Sequence, residues 1–134
     1  AASIEDDHHS CLTARYIDQL AYRHNRPRRG QPDHSAALAL YQTIPDSGPP
    51  FARCRRHNGI GWSLHMLGDD PEALRHAELS VQEAGDSGSL RLRAMALNLL
   101  AQVLEGEARD RAKGRARAIA RHLEDEDLAL RYMG

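Results

Sequence analysis

Two pairs of soft ligands are the first residues whose types and spacing suggest chemistry. His8-His9-x-Cys11 and Cys54-x-x-His57 each set a histidine and a cysteine three residues apart, which on a helix puts both on one face. Thiolate and imidazole together suit a tetrahedral zinc site. Cys11, Cys54, His8 and His57 thus form a candidate ligand set, and a metal-stabilised module is one alternative reading of the chain. A constant shift of 40 residues, however, pairs Cys54 with Ala14 rather than Cys11, and puts His57 at a helix-contact position. A hydrogen-bonded core histidine and a buried apolar thiol are the simpler accounts, so no cofactor is expected.

Arginines are the next candidates. Arg109, Arg111, Lys113, Arg115, Arg117 and Arg121 crowd one short segment, and Arg26, Arg28 and Arg29 cluster in another. An arginine stripe can track phosphate. Here the positions spread around a helix whose inner face is held by Ala112, Ala116 and Ile119, the pattern of a solvated surface. The formal net charge of −1 adds no global attraction for nucleic acid, so direct nucleic-acid contact is not expected within this segment. His24, His34, His65, His76 and His122 are scattered, with no Ser-His-Asp set, nucleophile elbow or His-Glu-x-x-His pattern around them. A phosphate-binding loop of the G-x-x-x-x-G-K-S/T kind is also missing, so the chain does not read as an enzyme.

The elements that must position these residues are helices. With 134 residues, 41% hydrophobic content, one Phe and one Trp, the chain is one domain's worth of material, better suited to close helix packing than to a sandwich or barrel. Its two cysteines make no disulfide framework, and no apolar run is long enough to span a bilayer. A cytoplasmic setting with no membrane is therefore expected. The start at Ala1-Ala2-Ser3 suggests a piece of a larger protein.

From His57 to Leu74 the chain reads helix, tight turn, helix. Ile60, Leu64 and Leu67 share a helical face that Gly61 keeps flat for a close neighbour. Gly68 supplies a left-handed stop, Asp70 an N-cap, Pro71 the first helical position and Glu72 a first-turn acid. Shifting by 40 residues repeats the pattern: Leu20 and Leu100 match Ile60, Ala21 and Ala101 match Gly61, and Ile17 and Leu97 match His57. Leu104 matches Leu64, whereas His24 breaks the column. Each such helix is followed by a polar turn and a second amphipathic stretch, about 32–44, 71–84 and 108–123. The expected units run about 10–45, 51–85 and 89–123, with 4–10 as a leader and 124–134 as a terminal helix or the start of a further unit.

These residues resemble the tetratricopeptide (TPR) repeat, with Leu67-Gly68, Ala73 and Pro49 at signature positions, although His57 and Ala77 replace two of its aromatics. The spacing of 40 exceeds that repeat's usual length of about 34 residues. The stretched connector Ala84-Gly85-Asp86-Ser87-Gly88 is similar to those in the C-terminal TPR region of bacterial antibiotic-regulatory-type transcription activators. The resemblance implies an all-α fold of stacked antiparallel helical hairpins, about three repeats wound into a right-handed superhelix. It also implies a protein or peptide held in the concave groove, and a role in sensing or partner docking within a transcriptional regulator.

Carried over position by position, the groove residues are Asp18 and Tyr22 in the first unit, Arg55, Asn58, Trp62, His65 and Met66 in the second, and Asn98 and Gln102 in the third. Arg15, Asn25, Met95 and Glu105 fall at further positions of the same kind. The recurring Asp18, Asn58, Asn98 column suits a peptide backbone, because carboxamides both donate and accept hydrogen bonds. Tyr22 and Trp62 form an adjacent column of flat apolar surface. Arg55 alone does not make a clamp for a terminal carboxylate. The rival expectation is a homo-oligomer joined through Leu128, Leu130, Tyr132 and Met133, since a terminal repeat without a polar cap tends to pair.

Overall fold

A computed structural model describes the backbone of residues 4–123 and the side chains from residue 12 onward. The expected terminal helix at 124–134, with its apolar tail, lies outside the described residues, as do the side chains of His8 and Cys11. Among the described residues the chain is wholly helical: α1 Ile4–Asn25, α2 His34–Thr43, α3 Pro50–Met66, α4 Asp70–Ser87, α5 Leu90–Val103 and α6 Gly106–His122.

Local chemistry sets the boundaries. Asp33 caps α2 by accepting from the Ala36 amide at 3.0 Å, and Ser89 caps α5 by accepting from the Leu92 amide at 3.2 Å. Pro50 opens α3, where a missing amide proton costs nothing. Gly68 takes φ +90°, as its stop role requires. The N-cap of α4 is Asp69 rather than the expected Asp70, because it is the Asp69 carboxylate that accepts from the Glu72 amide. Asp70 instead accepts from His65 Nδ1 at 2.8 Å. α1 begins at Ile4, so the expected leader is already helix. α4 continues past Ala84 to Ser87, and the left-handed residue that ends it is Gly88, at φ +73°.

The helices pack α1 on α2, α3 on α4 and α5 on α6, with α2 on α3 and α4 on α5 joining successive pairs. The odd helices also touch one another, α1 to α3 and α3 to α5. They thus form one layer, backed by the even helices. The core follows this order as three linked clusters. Ala21, Ala37, Tyr41, Ile44 and Ile60 join α1 and α2 to α3. Cys54, Ala84, Leu92 and Ala96 join α3 and α4 to α5. Ala94, Leu97, Ala116 and Ala120 join α5 to α6, and Val81 packs against both of the last two clusters.

Small residues set the helix separations. A Cβ at Gly61 would stand 2.8 Å from Leu99 Cδ2 and 3.4 Å from the Ala73 carbonyl oxygen, so this one position lets α3 meet both α4 and α5. Gly59 does the same for α2, since a Cβ there would enter the Tyr41 ring.

Candidate functional site

The odd-helix layer carries a cavity of about 340 Å³ whose walls come from α1, α3 and α5, with Tyr41 of α2 at its back. α1 contributes Asp18, Tyr22 and Asn25, with Arg26 just past its end, and α3 contributes Arg55, Asn58, Gly59 and Trp62. α5 contributes Met95, Asn98, Leu99 and Gln102. Asp18, Asn58 and Asn98 sit at one register position of three parallel elements, so the packing that aligns Ala21, Gly61 and Ala101 in the core also aligns this polar row. All three are half-buried.

The row is not electrostatically uniform. Burial raises the Asp18 carboxyl above the usual carboxylate range, and the nearby Arg55 guanidinium partly offsets this. Burial likewise pushes the Tyr41 phenol well above its ordinary value, helped by the negative charge of Asp18. Asn58 Nδ2 reaches the Met95 carbonyl oxygen at 3.4 Å, a long bond that leaves the carboxamide easy to redirect. The Arg26 guanidinium lies over the Trp62 indole, 4.6 Å from the ring centroid, within cation–π range. Trp62 Nε1 is buried and has no hydrogen-bond partner.

A closed polar network fixes the wall behind them. His34 Nδ1 donates to Asn25 Oδ1 at 2.8 Å, Asn25 Nδ2 donates to Ser63 Oγ at 3.0 Å, and Ser63 Oγ donates to the Gly59 carbonyl at 2.9 Å. This ties the end of α1, the start of α2 and the middle of α3 together. Asn25 is thus committed to structure, although it borders the cavity.

Seven of the nine expected groove residues, Asp18, Tyr22, Arg55, Asn58, Trp62, Asn98 and Gln102, line this one cavity. His65 and Met66 do not. His65 is held by Asp70 at the α3–α4 turn, and Met66 is 47% exposed at the end of α3, beyond the cavity rim. The sequence reading missed Arg26, Tyr41, Gly59 and Leu99. Leu99 stands 40 residues after Gly59, so the same column rule contained it. Tyr41 left no such trace, because it reaches the cavity from an even helix across Gly59.

The soft-ligand pairs have other occupations. Ser80 Oγ donates to the Cys54 carbonyl at 3.1 Å, Cys54 Sγ lies 3.4 Å from that hydroxyl, and burial pushes the thiol up. His57 has one ring nitrogen against His76 and the other against Asp46. Among the described residues no group of three or more His, Cys, Asp and Glu is placed to hold a metal. On α6, Ala112, Ala116 and Ala120 are buried, so Ala120 takes the inner position expected of Ile119, which is half-buried. Arg109, Arg111, Arg115 and Arg121 are exposed. No helix among the described residues is long and apolar enough to cross a membrane. No protein-family model matches the chain, and no curated protein or solved structure does either.

Proposed function

We propose that the chain is a non-enzymatic, TPR-like array of three helical hairpins, wound as a right-handed superhelix, that binds a protein or peptide segment in the concave face formed by α1, α3 and α5. Its place would be the cytoplasmic sensing or partner-docking region of a bacterial transcriptional regulator. The observation that carries this reading is the cavity of about 340 Å³, lined at equivalent positions of three helices by Asp18, Asn58 and Asn98 and by Tyr22, Trp62 and Gln102. Its lining combines carboxamides, of which Asn58 is held only by the long bond to the Met95 carbonyl, with aromatic surface, the mixture that grips a peptide backbone while giving apolar contact at low entropy cost. The unpartnered Trp62 Nε1 supports it too, because a buried donor without an acceptor costs about 1–3 kcal/mol that a binding partner can recover by reshaping the site.

Trp62 is the only tryptophan and reports on the cavity directly. Titrating the chain with a peptide library should give a saturable change in its fluorescence for at least one sequence class. Asn58→Ala combined with Asn98→Ala should then weaken that binding by about 2 kcal/mol or more, roughly 30-fold, while helical content stays unchanged. Binding that survives the double substitution in a folded protein would place the working surface elsewhere.

A further inference from the structure

α3 and α4 share a pair of buried histidines that the cavity does not use. His57 is 5% exposed and His76 is 9% exposed, and their Nδ1 atoms lie 3.0 Å apart. One ring must donate and the other accept. The outer nitrogens decide which. His57 Nε2 is 3.5 Å from Asp46 Oδ1, an acceptor, so His57 carries its proton on Nε2. His76 Nε2 is 3.2 Å from an Arg75 guanidinium nitrogen, which can only donate, so His76 carries its proton on Nδ1. A single direction therefore satisfies all four ring nitrogens. Arg75 donates to His76 Nε2, His76 Nδ1–H donates to His57 Nδ1, and His57 Nε2–H donates to Asp46.

From this arrangement we propose that the His57–His76 pair is an acid-operated latch that holds α3 against α4 while both rings are neutral and releases it when they take up protons. The only lone pairs left on the rings, at His57 Nδ1 and His76 Nε2, already accept a hydrogen bond each. A first added proton can enter at His57 Nδ1 only if His76 moves its own proton to Nε2, which turns Arg75 away. That step is cheap, because the Arg75 side chain is 57% exposed and already paired with Glu72 at 3.1 Å. A second proton leaves two N–H groups facing each other, and the rings must part.

The surrounding charges divide on the same question. Asp46 in the α2–α3 loop and Glu72 and Glu83 of α4 favour a charged pair, while Arg56 of α3 and Arg75 of α4 oppose it. Burial is the largest influence on both rings and lowers both, His76 to about 4 through burial first and then the charges of Arg75 and His57. The unfolded chain takes up these protons near the ordinary value of 6.5, and the folded chain takes them up only below it. The latch is therefore fully closed above that value, and its contribution is lost as pH falls toward 4. α3 also carries Asn58 and Trp62, so opening the latch loosens one cavity wall; only this last consequence rests on the groove reading.

Long-range proton–nitrogen NMR on the neutral protein tests the geometry without any ligand. His57 should appear as the Nε2–H tautomer and His76 as the rarer Nδ1–H tautomer; finding both rings protonated on Nε2 overturns the proposal. Urea denaturation from pH 6.5 to 4 tests the consequence. Removing the titration with His76→Asn should abolish that ring's share of the acid loss, a fall of about 80-fold in the folding constant across this window for a value moved from 6.5 to about 4. An equal fall in that variant overturns the latch. Should His76→Asn not fold, the exposed Arg75→Gln should fold normally at neutral pH and lose less stability than the parent between pH 6.5 and 4, because removing that cation brings the folded value of His76 closer to the unfolded one. An unmoved acid transition there is equally fatal.

Discussion

At the residue scale, the contact between Gly59 and the Tyr41 ring does the most for the site, because it lets an aromatic from the outer layer form the back of the cavity. Tyr41 is 3% exposed, and a methyl at Gly59 would have to displace its ring bodily. Gly59→Ala should therefore destabilise the fold by about 1–3 kcal/mol, the usual cost of overpacking a filled core. Gly114→Ala is the matched control. It lies inside α6 with nothing within 4 Å of an added Cβ, so it should stabilise by about 0.5–1 kcal/mol through helix propensity and a less flexible unfolded chain. Paired urea melts read both signs at once. Of the two close approaches on α3, only Gly61 was legible in the sequence, since Ala21 and Ala101 stand at its equivalents and announce a small-residue column. Gly59 stands between Gln19 and Leu99 and belongs to no such column, so only the packed structure shows why it is glycine.

Elements were legible where periodicity spoke and less so where capping decided. The six helices among the described residues and their pairing follow from the apolar spacing and the 40-residue shift, whereas the ends moved by several residues. The α3–α4 turn shows why. Asp69 and Asp70 are adjacent and chemically equal, and a sequence cannot say which carboxylate will face the free amides of α4. The geometry gives the cap to Asp69 and the exposed His65 contact to Asp70. Asp69→Ala should thus cost about 1 kcal/mol, the typical worth of an N-cap. Asp70→Ala removes only a surface pair and should change stability by less than about 0.5 kcal/mol. Reversed magnitudes in thermal melts would return the cap to Asp70. The same neighbourhood explains why His65 does not line the cavity: the column rule sets its register but not which acid beyond the turn its ring will find.

For the whole molecule, the order of the core clusters matters more than their size. Each cluster joins three consecutive helices at most, apart from Val81, which bridges the second and third. Stability in such an array is close to a sum of unit and nearest-neighbour terms, so damage stays local until a unit is lost. Leu97 is 1% exposed and packs with Ala94, Ala116 and Ala120 at the α5–α6 end. Leu97→Ala should remove about 2–5 kcal/mol there, because the buried neighbours Ala94, Ala116 and Ala120 have no side chain that could swing into the space, which leaves only the partly buried Val81, Ile119 and Leu123 to fill it. Hydrogen exchange under native conditions should then quicken first in α5 and α6, while α1 and α2 keep their parent rates. A core that behaved as one unit would instead speed up every slow amide together. Locality also bears on the cavity, whose walls belong to all three hairpins. Loosening α5 frees Asn98 and Gln102 from register with Asn58 while leaving the Arg26 guanidinium over Trp62. On the proposed peptide-binding reading, Leu97→Ala should therefore weaken peptide capture while the fluorescence of the ligand-free protein stays as in the parent.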